Sequence, residues 1–204
     1  MRITRRVALC LAVAGSLGLA GCGDDANPDE RSEDELNALR IRPDAPPLER
    51  TDTSFYAKKG EDREVAIYFT DGAGGRGTLL FLLRVFGNSL LARPDGTPIA
   101  LGDSVLITAR VVDPTRVLID LQPDGLTFDA SAPPELLLHY DEVDDDFDGD
   151  GDIDADDVLI ETRLTIWRQE DPGEVFVRLP STVNPALQGV ATLLRGFSRY
   201  AISY

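Results

Sequence analysis

Histidine and cysteine are almost missing from this chain: its 204 residues include one His and two Cys. That scarcity removes whole classes of chemistry. A zinc site built from Cys and His has too few ligands. Ser131, Ser181 and Ser198 stand outside any Gly-x-Ser-x-Gly setting. The glycine-rich stretch Gly72-Ala-Gly-Gly-Arg-Gly77 lacks the lysine and the strand-to-helix context of a phosphate loop. It reads as a hairpin turn. Positive charge is also scarce, with 20 Lys and Arg against 36 Asp and Glu and a formal net charge of −16. Such a surface repels nucleic acid and anionic lipid head groups and attracts cations. His139 lies in an apolar run and reads as a sheet residue rather than a general base. The expectation is a protein that is not an enzyme.

Long apolar runs are absent except near the start. Residues 7–19 are apolar or small throughout and follow Arg2, Arg5 and Arg6. This is the length of a signal h-region and too short to span a membrane. It ends in Leu19-Ala20-Gly21-Cys22, which resembles a bacterial lipobox. The resemblance implies that residues 1–21 are a lipoprotein signal peptide and that the Cys22 thiol carries lipid. Two or three acyl chains hold stably, at about 0.8 kcal/mol per buried CH₂. Cys10 would leave with the signal, so no disulfide forms in the mature chain. Losing the three arginines takes the formal charge from −16 to −19. The implied address is the bacterial cell envelope, outside the cytoplasm. Gly23 in place of an aspartate favours the outer over the inner membrane. Residues 22–60 are acidic and then proline-rich, at Arg42-Pro-Asp-Ala-Pro-Pro47. Low hydrophobicity with high charge reads there as a disordered tether.

What the chain has in excess is aspartate at fixed spacing. Residues 146–157 read Asp-Phe-Asp-Gly-Asp-Gly-Asp-Ile-Asp-Ala-Asp-Asp. Carboxylates fall at positions 1, 3, 5, 9 and 12 of a twelve-residue loop, with Gly151 at position 6. This resembles an EF-hand calcium loop. Calcium takes six to eight oxygens in flexible geometry. Asp146, Asp148 and Asp150 would give side-chain oxygens as the chain curls, and Asp152 its backbone carbonyl. Asp154 would coordinate through water and Asp157 would close the site. Ile153 is expected to point away from the ion and anchor the loop in a core. Asp157 stands where glutamate is usual, and its shorter arm predicts modest affinity, in the range of about 10⁻⁴ to 10⁻³ M. The segment after the loop, 154–163, predicts a short helix capped by Asp154, with an acidic first turn that suits the helix dipole. A loop with an exit helix and no entry helix resembles one half of a dockerin repeat. Dockerins carry two such repeats and this chain has one.

The remainder reads as all-β. Strand-forming runs recur near 65–69, 78–84, 104–112, 115–121, 126–128, 135–140, 164–168, 174–179, 191–195 and 200–204, separated by turn signals. Many short strands of this kind predict a β-sandwich over 61–204. The phrases Gln122-Pro-Asp-Gly-Leu-Thr-Phe128, Ala132-Pro-Pro-Glu-Leu-Leu-Leu-His-Tyr140, Val177-Arg-Leu-Pro-Ser-Thr-Val183 and Gly196-Phe-Ser-Arg-Tyr-Ala-Ile202 occur in an order similar to that of the ZU-five domain. The resemblance covers residues 104–204 and implies a β-sandwich into which the acidic loop is inserted. Some members of that family cut themselves before the serine of a His-Phe-Ser triplet. Here the triplet is Gly196-Phe197-Ser198, without the histidine, so self-cleavage is not expected. The functional expectation is a calcium-binding envelope lipoprotein in which the ion orders one loop. The alternative is a calcium-dependent adhesion or docking module for an unidentified protein or glycan partner.

Overall fold

A computed structural model of the chain describes residues 27–204. The signal peptide 1–21 and the lipidation site Cys22 lie outside the described residues. The strands in chain order are β1 (Glu30–Arg31), β2 (Asp52–Lys58), β3 (Arg63–Thr70), β4 (Arg76–Val85), β5 (Leu90–Ala92), β6 (Ser104–Val111), β7 (Leu118–Gln122), β8 (Thr127–Phe128), β9 (Glu135–His139), β10 (Thr165–Gln169), β11 (Phe176–Arg178), β12 (Ser181–Asn184), β13 (Gly189–Leu193) and β14 (Arg199–Ser203). One α-helix, α1 (Ala155–Glu161), stands between β9 and β10, and a single 3-10 turn, Pro185–Leu187, stands between β12 and β13. Pairing is antiparallel. One sheet runs β1-β11-β10-β14-β7-β6-β2, a second runs β12-β13-β9-β4-β3, and β5 pairs with β8.

Alternation along the strands decides which faces meet. Ile107, Ala109, Ile119, Leu121, Ile166, Tyr200 and Ile202 of the first sheet share one buried cluster with Ile67, Phe81, Leu83, Leu136, Leu138 and Val190 of the second. This is a β-sandwich closed by apolar burial, the dominant favourable contribution to folding. The β3–β4 hairpin forms at the glycine-rich stretch. A Cβ on Gly77 would lie 2.6 Å from the Thr70 carbonyl oxygen, which is why the strands can cross so closely there. Near the end of the chain, the Tyr200 hydroxyl donates to the Gly196 carbonyl at 2.6 Å, the backbone-tying role of a tyrosine corner.

The outer face of the first sheet departs from simple alternation. Leu118, Ala201 and Trp167 stand side by side across β7, β14 and β10, and all three are buried. Leu36 covers them together with Phe176. The Arg31 guanidinium lies 5.7 Å from the centre of the Trp167 ring.

The cover belongs to the segment that reads as a tether. Described residues 27–60 are instead part of the fold. β1 pairs with β11, and β2 pairs with β6 over seven positions, Asp52↔Arg110 to Lys58↔Ser104. Leu36 is 7% and Leu39 4% exposed. The Leu39 amide donates to the Ile202 carbonyl at 2.9 Å and the Val117 amide to the Leu39 carbonyl at 3.0 Å. The physical reason is placement. Averaged composition registers acid and proline, yet each isolated apolar residue here fills one slot. The prolines occupy the bend between two pairings, Arg42 with Glu142 and Pro47 with Thr70.

Candidate metal centre

The acidic loop leaves the sandwich at the end of β9 and returns through α1 to β10. Its entry is strand-like. The Arg42 amide donates to the Glu142 carbonyl at 2.8 Å and the Asp144 amide to the Arg40 carbonyl at 3.1 Å. The Glu142 carboxylate is buried. It is ion-paired with the Arg42 guanidinium and accepts a 2.9 Å hydrogen bond from the Thr78 hydroxyl. The exit is fixed by Tyr140, whose buried hydroxyl donates to Glu161 at 2.9 Å. Burial, with that acceptor beside it, pushes the Tyr140 phenol well above its ordinary range.

Within the loop, the aspartates organise the backbone before any ion is considered. Asp146 accepts from the amides of Gly149 (2.8 Å) and Gly151 (3.0 Å). Asp148 accepts from Asp150, and Asp150 from Asp152, each at 3.1 Å. Short aspartate side chains hydrogen-bond readily to amides two residues on. Gly151 adopts φ +99°, a region in which L side chains are strained.

Asp157 is the keystone. It is 2% exposed, the most enclosed carboxylate of the loop. One of its oxygens accepts from the amides of Phe147 at 2.7 Å and Asp148 at 3.3 Å. The other accepts from the Asp154 amide at 2.9 Å. Asp154 in turn caps α1, accepting from Asp156 at 2.7 Å, so the two residues form a capping box. Position 12 therefore joins the start of the loop to the start of the helix. The amides of Asp154, Phe147 and Asp148 hold its carboxyl below the usual aspartate value. Asp148 goes the other way. The Asp150 amide pulls its pKa down, but partial desolvation and the neighbouring carboxylates of Asp150, Asp157 and Asp146 raise it overall.

Three of the six expected ligand residues converge. Asp146, Asp148 and Asp157 each offer an oxygen, all within 4.8 Å of one another, and the group could hold a metal ion. Asp150, Asp152 and Asp154 are exposed and lie outside that group. The side chains of Asp150 and Asp154 are turned to their own backbone turns.

Ile153 does not anchor the loop: it is 69% exposed. It sits one residue before the Asp154 cap, with Val158 four positions into the helix, the two places of a hydrophobic staple. Both remain on the surface because only Asp157 of α1 is buried. The anchor is Phe147, at position 2. It packs on the main core, meets Tyr140 edge-on at 6.4 Å, and its carbonyl accepts from the Tyr204 hydroxyl at 3.0 Å. An aromatic residue among aspartates was the available signal. Beside the loop, a cleft of about 980 Å³ opens toward the N-terminal segment, lined by Leu36, Asn37, Arg40, Asp146, Phe147 and Tyr204 among others.

The residues weighed for catalysis are engaged elsewhere. His139 faces Asp141 at 3.2 Å in β9 of the second sheet, opposite Gly189. Ser198 is buried beside β14 of the first sheet, and its hydroxyl accepts from the Arg168 guanidinium at 2.7 Å. No family model, curated protein or solved structure matches the chain.

Proposed function

We propose that the protein is a calcium-binding lipoprotein of the bacterial cell envelope, without catalytic activity, in which the ion orders the inserted loop of a β-sandwich. The observation that carries this reading is the convergence of Asp146, Asp148 and Asp157 in a loop whose backbone is already turned around them. The donor set is all oxygen, which suits a hard cation such as calcium or magnesium over zinc or copper. Twelve-residue spacing and a glycine at position 6 favour calcium, whose longer and more flexible bonds tolerate a loop of this kind. Asp146, Asp148 and Asp157 would hold the ion, with the Asp152 carbonyl, Asp150 and Asp154 completing the shell on modest rearrangement.

Two measurements test this proposal. Isothermal titration of the purified protein should give one calcium site with Kd near about 10⁻⁴ to 10⁻³ M, and weaker magnesium binding. Absence of heat and of any calcium-induced shift in melting up to several millimolar would end the metal reading. For the anchor, mass spectrometry of membrane-extracted protein should find residues 1–21 gone and Cys22 acylated. A Cys22→Ala form should stay out of the detergent phase. An unmodified Cys22 would refute the anchor and leave the calcium reading standing.

A further inference from the structure

Resting on that calcium reading, we propose that the loop is a calcium-operated clamp on the N-terminal arm, residues 27–42. The arm is gripped from two sides. On one side stand residues 115–117, which lead into β7: the Ile41 amide donates to Thr115 at 2.9 Å, and Arg40 bridges Arg116. On the other stand residues 142–144, which lead into the acidic loop: Ile41 bridges Val143, with hydrogen bonds from Arg42 to Glu142 and from Asp144 to Arg40. The first jaw belongs to a central strand. The second ends at the metal ligands, since the Asp146 amide donates to the Asp144 carboxylate at 3.3 Å.

A second link runs through side chains. The Tyr204 hydroxyl donates to the carbonyl of Phe147, which lies between two of the converging aspartates, and accepts from the Asn37 amide at 3.5 Å. The same loop residues and arm residues 32–40 face one another across the cleft.

The jaw that carries the ion is the one under charge repulsion. Residues 144–157 include nine aspartates, counting Asp144 and Asp145, and their mutual repulsion opposes the closed form. Val143 and Phe147 hold the base of the loop to the main core, so the opening this repulsion favours is local, in the exposed stretch 148–156. A divalent ion that neutralises Asp146, Asp148 and Asp157 removes that repulsion and fixes the Phe147 carbonyl, so binding and closure favour each other. Coupling of this kind is reciprocal. Calcium tightens the arm, and a docked arm tightens calcium by the same factor. On a chain tethered at Cys22, the arm is the stretch next to the membrane, and the clamp would set how far the sandwich can stand from its anchor.

Hydrogen–deuterium exchange on the lipidated full-length protein in detergent, in calcium and in chelator, tests the clamp. Peptides covering 36–42 and 141–148 should both exchange about tenfold more slowly in saturating calcium, a coupling of ordinary size, while a β4 peptide stays unchanged. Tyr204→Phe, which keeps the ring and removes the link, should cut the calcium effect at 36–42 and lower calcium affinity by a matching factor of about three to five. Calcium uptake by titration with no change in exchange at 36–42 would overturn the clamp and leave the metal site intact. No uptake at all would overturn both.

Discussion

Asp157→Ala should lower calcium affinity by at least about a hundredfold, while Asp156→Asn one residue earlier leaves it within about twofold. Both changes remove one negative charge from the same turn. They differ in geometry. Asp157 is buried, holds three backbone amides and supplies one of the converging oxygens. Asp156 is exposed and lies outside the converging group. In the intact protein, calcium at about 100 times its Kd adds roughly 2.7 kcal/mol. At about 2–4 °C per kcal/mol for a chain of this size, the midpoint should rise by about 5–10 °C. Asp157→Ala should melt at one temperature with and without calcium. If Asp156→Asn erases the shift equally well, only bulk acidity matters and the converging geometry explains nothing.

The pKa directions add an order of events on acidification. In the ion-free loop, the raised Asp148 takes up its proton above the ordinary aspartate value of 3.8. Asp157 has a depressed folded value. Its stabilisation of the loop is therefore present above the unfolded value and is lost only as pH falls below 3.8 through the folded one.

How much of this was legible follows from the period of each signal. β6 and β7 place apolar residues at alternate positions facing one core, and β4 is a continuous apolar run; both are properties of a few adjacent residues. The loop was legible for a similar reason: its ligands, glycine and helix cap lie within twelve consecutive residues. Ile153 was misplaced because the spacing fixes where a residue sits in the loop and not what faces it. Among the described residues no second loop packs there, and Phe147 takes the anchoring role because Tyr140 and Tyr204, the latter 57 residues further on, both reach it. The arm was illegible on the same ground. Leu36 has no periodic neighbours, and its partners Leu118, Trp167, Phe176 and Ala201 are scattered over half the chain. Apolar residues on both faces of β10 and β14 were the one hint that something covers the first sheet.

Leu36→Ala accordingly separates an arm from a tether. In a tether, truncating an exposed leucine changes stability by no more than about 0.5 kcal/mol. In the fold described, Leu36 is 7% exposed and closes the outer cluster over Trp167. Losing it should cost about 2–3 kcal/mol, the lower part of the range for buried leucine, because the arm is one layer deep and can settle toward the sheet. Leu39→Ala, at 4% exposure in the main cluster, should cost as much or more. Chemical denaturation with tryptophan fluorescence reads both, since Trp167 is the only tryptophan and lies under the arm. The fluorescence carries a further distinction. If the arm detaches before the sandwich unfolds, Leu36→Ala should shift the Trp167 signal at denaturant concentrations where β-sheet circular dichroism is unchanged. If arm and sandwich form one cooperative unit, both probes should move together to a lower midpoint. A Leu36→Ala protein that matches the parent by both probes would return residues 27–42 to the status of a linker and remove the arm on which the clamp acts.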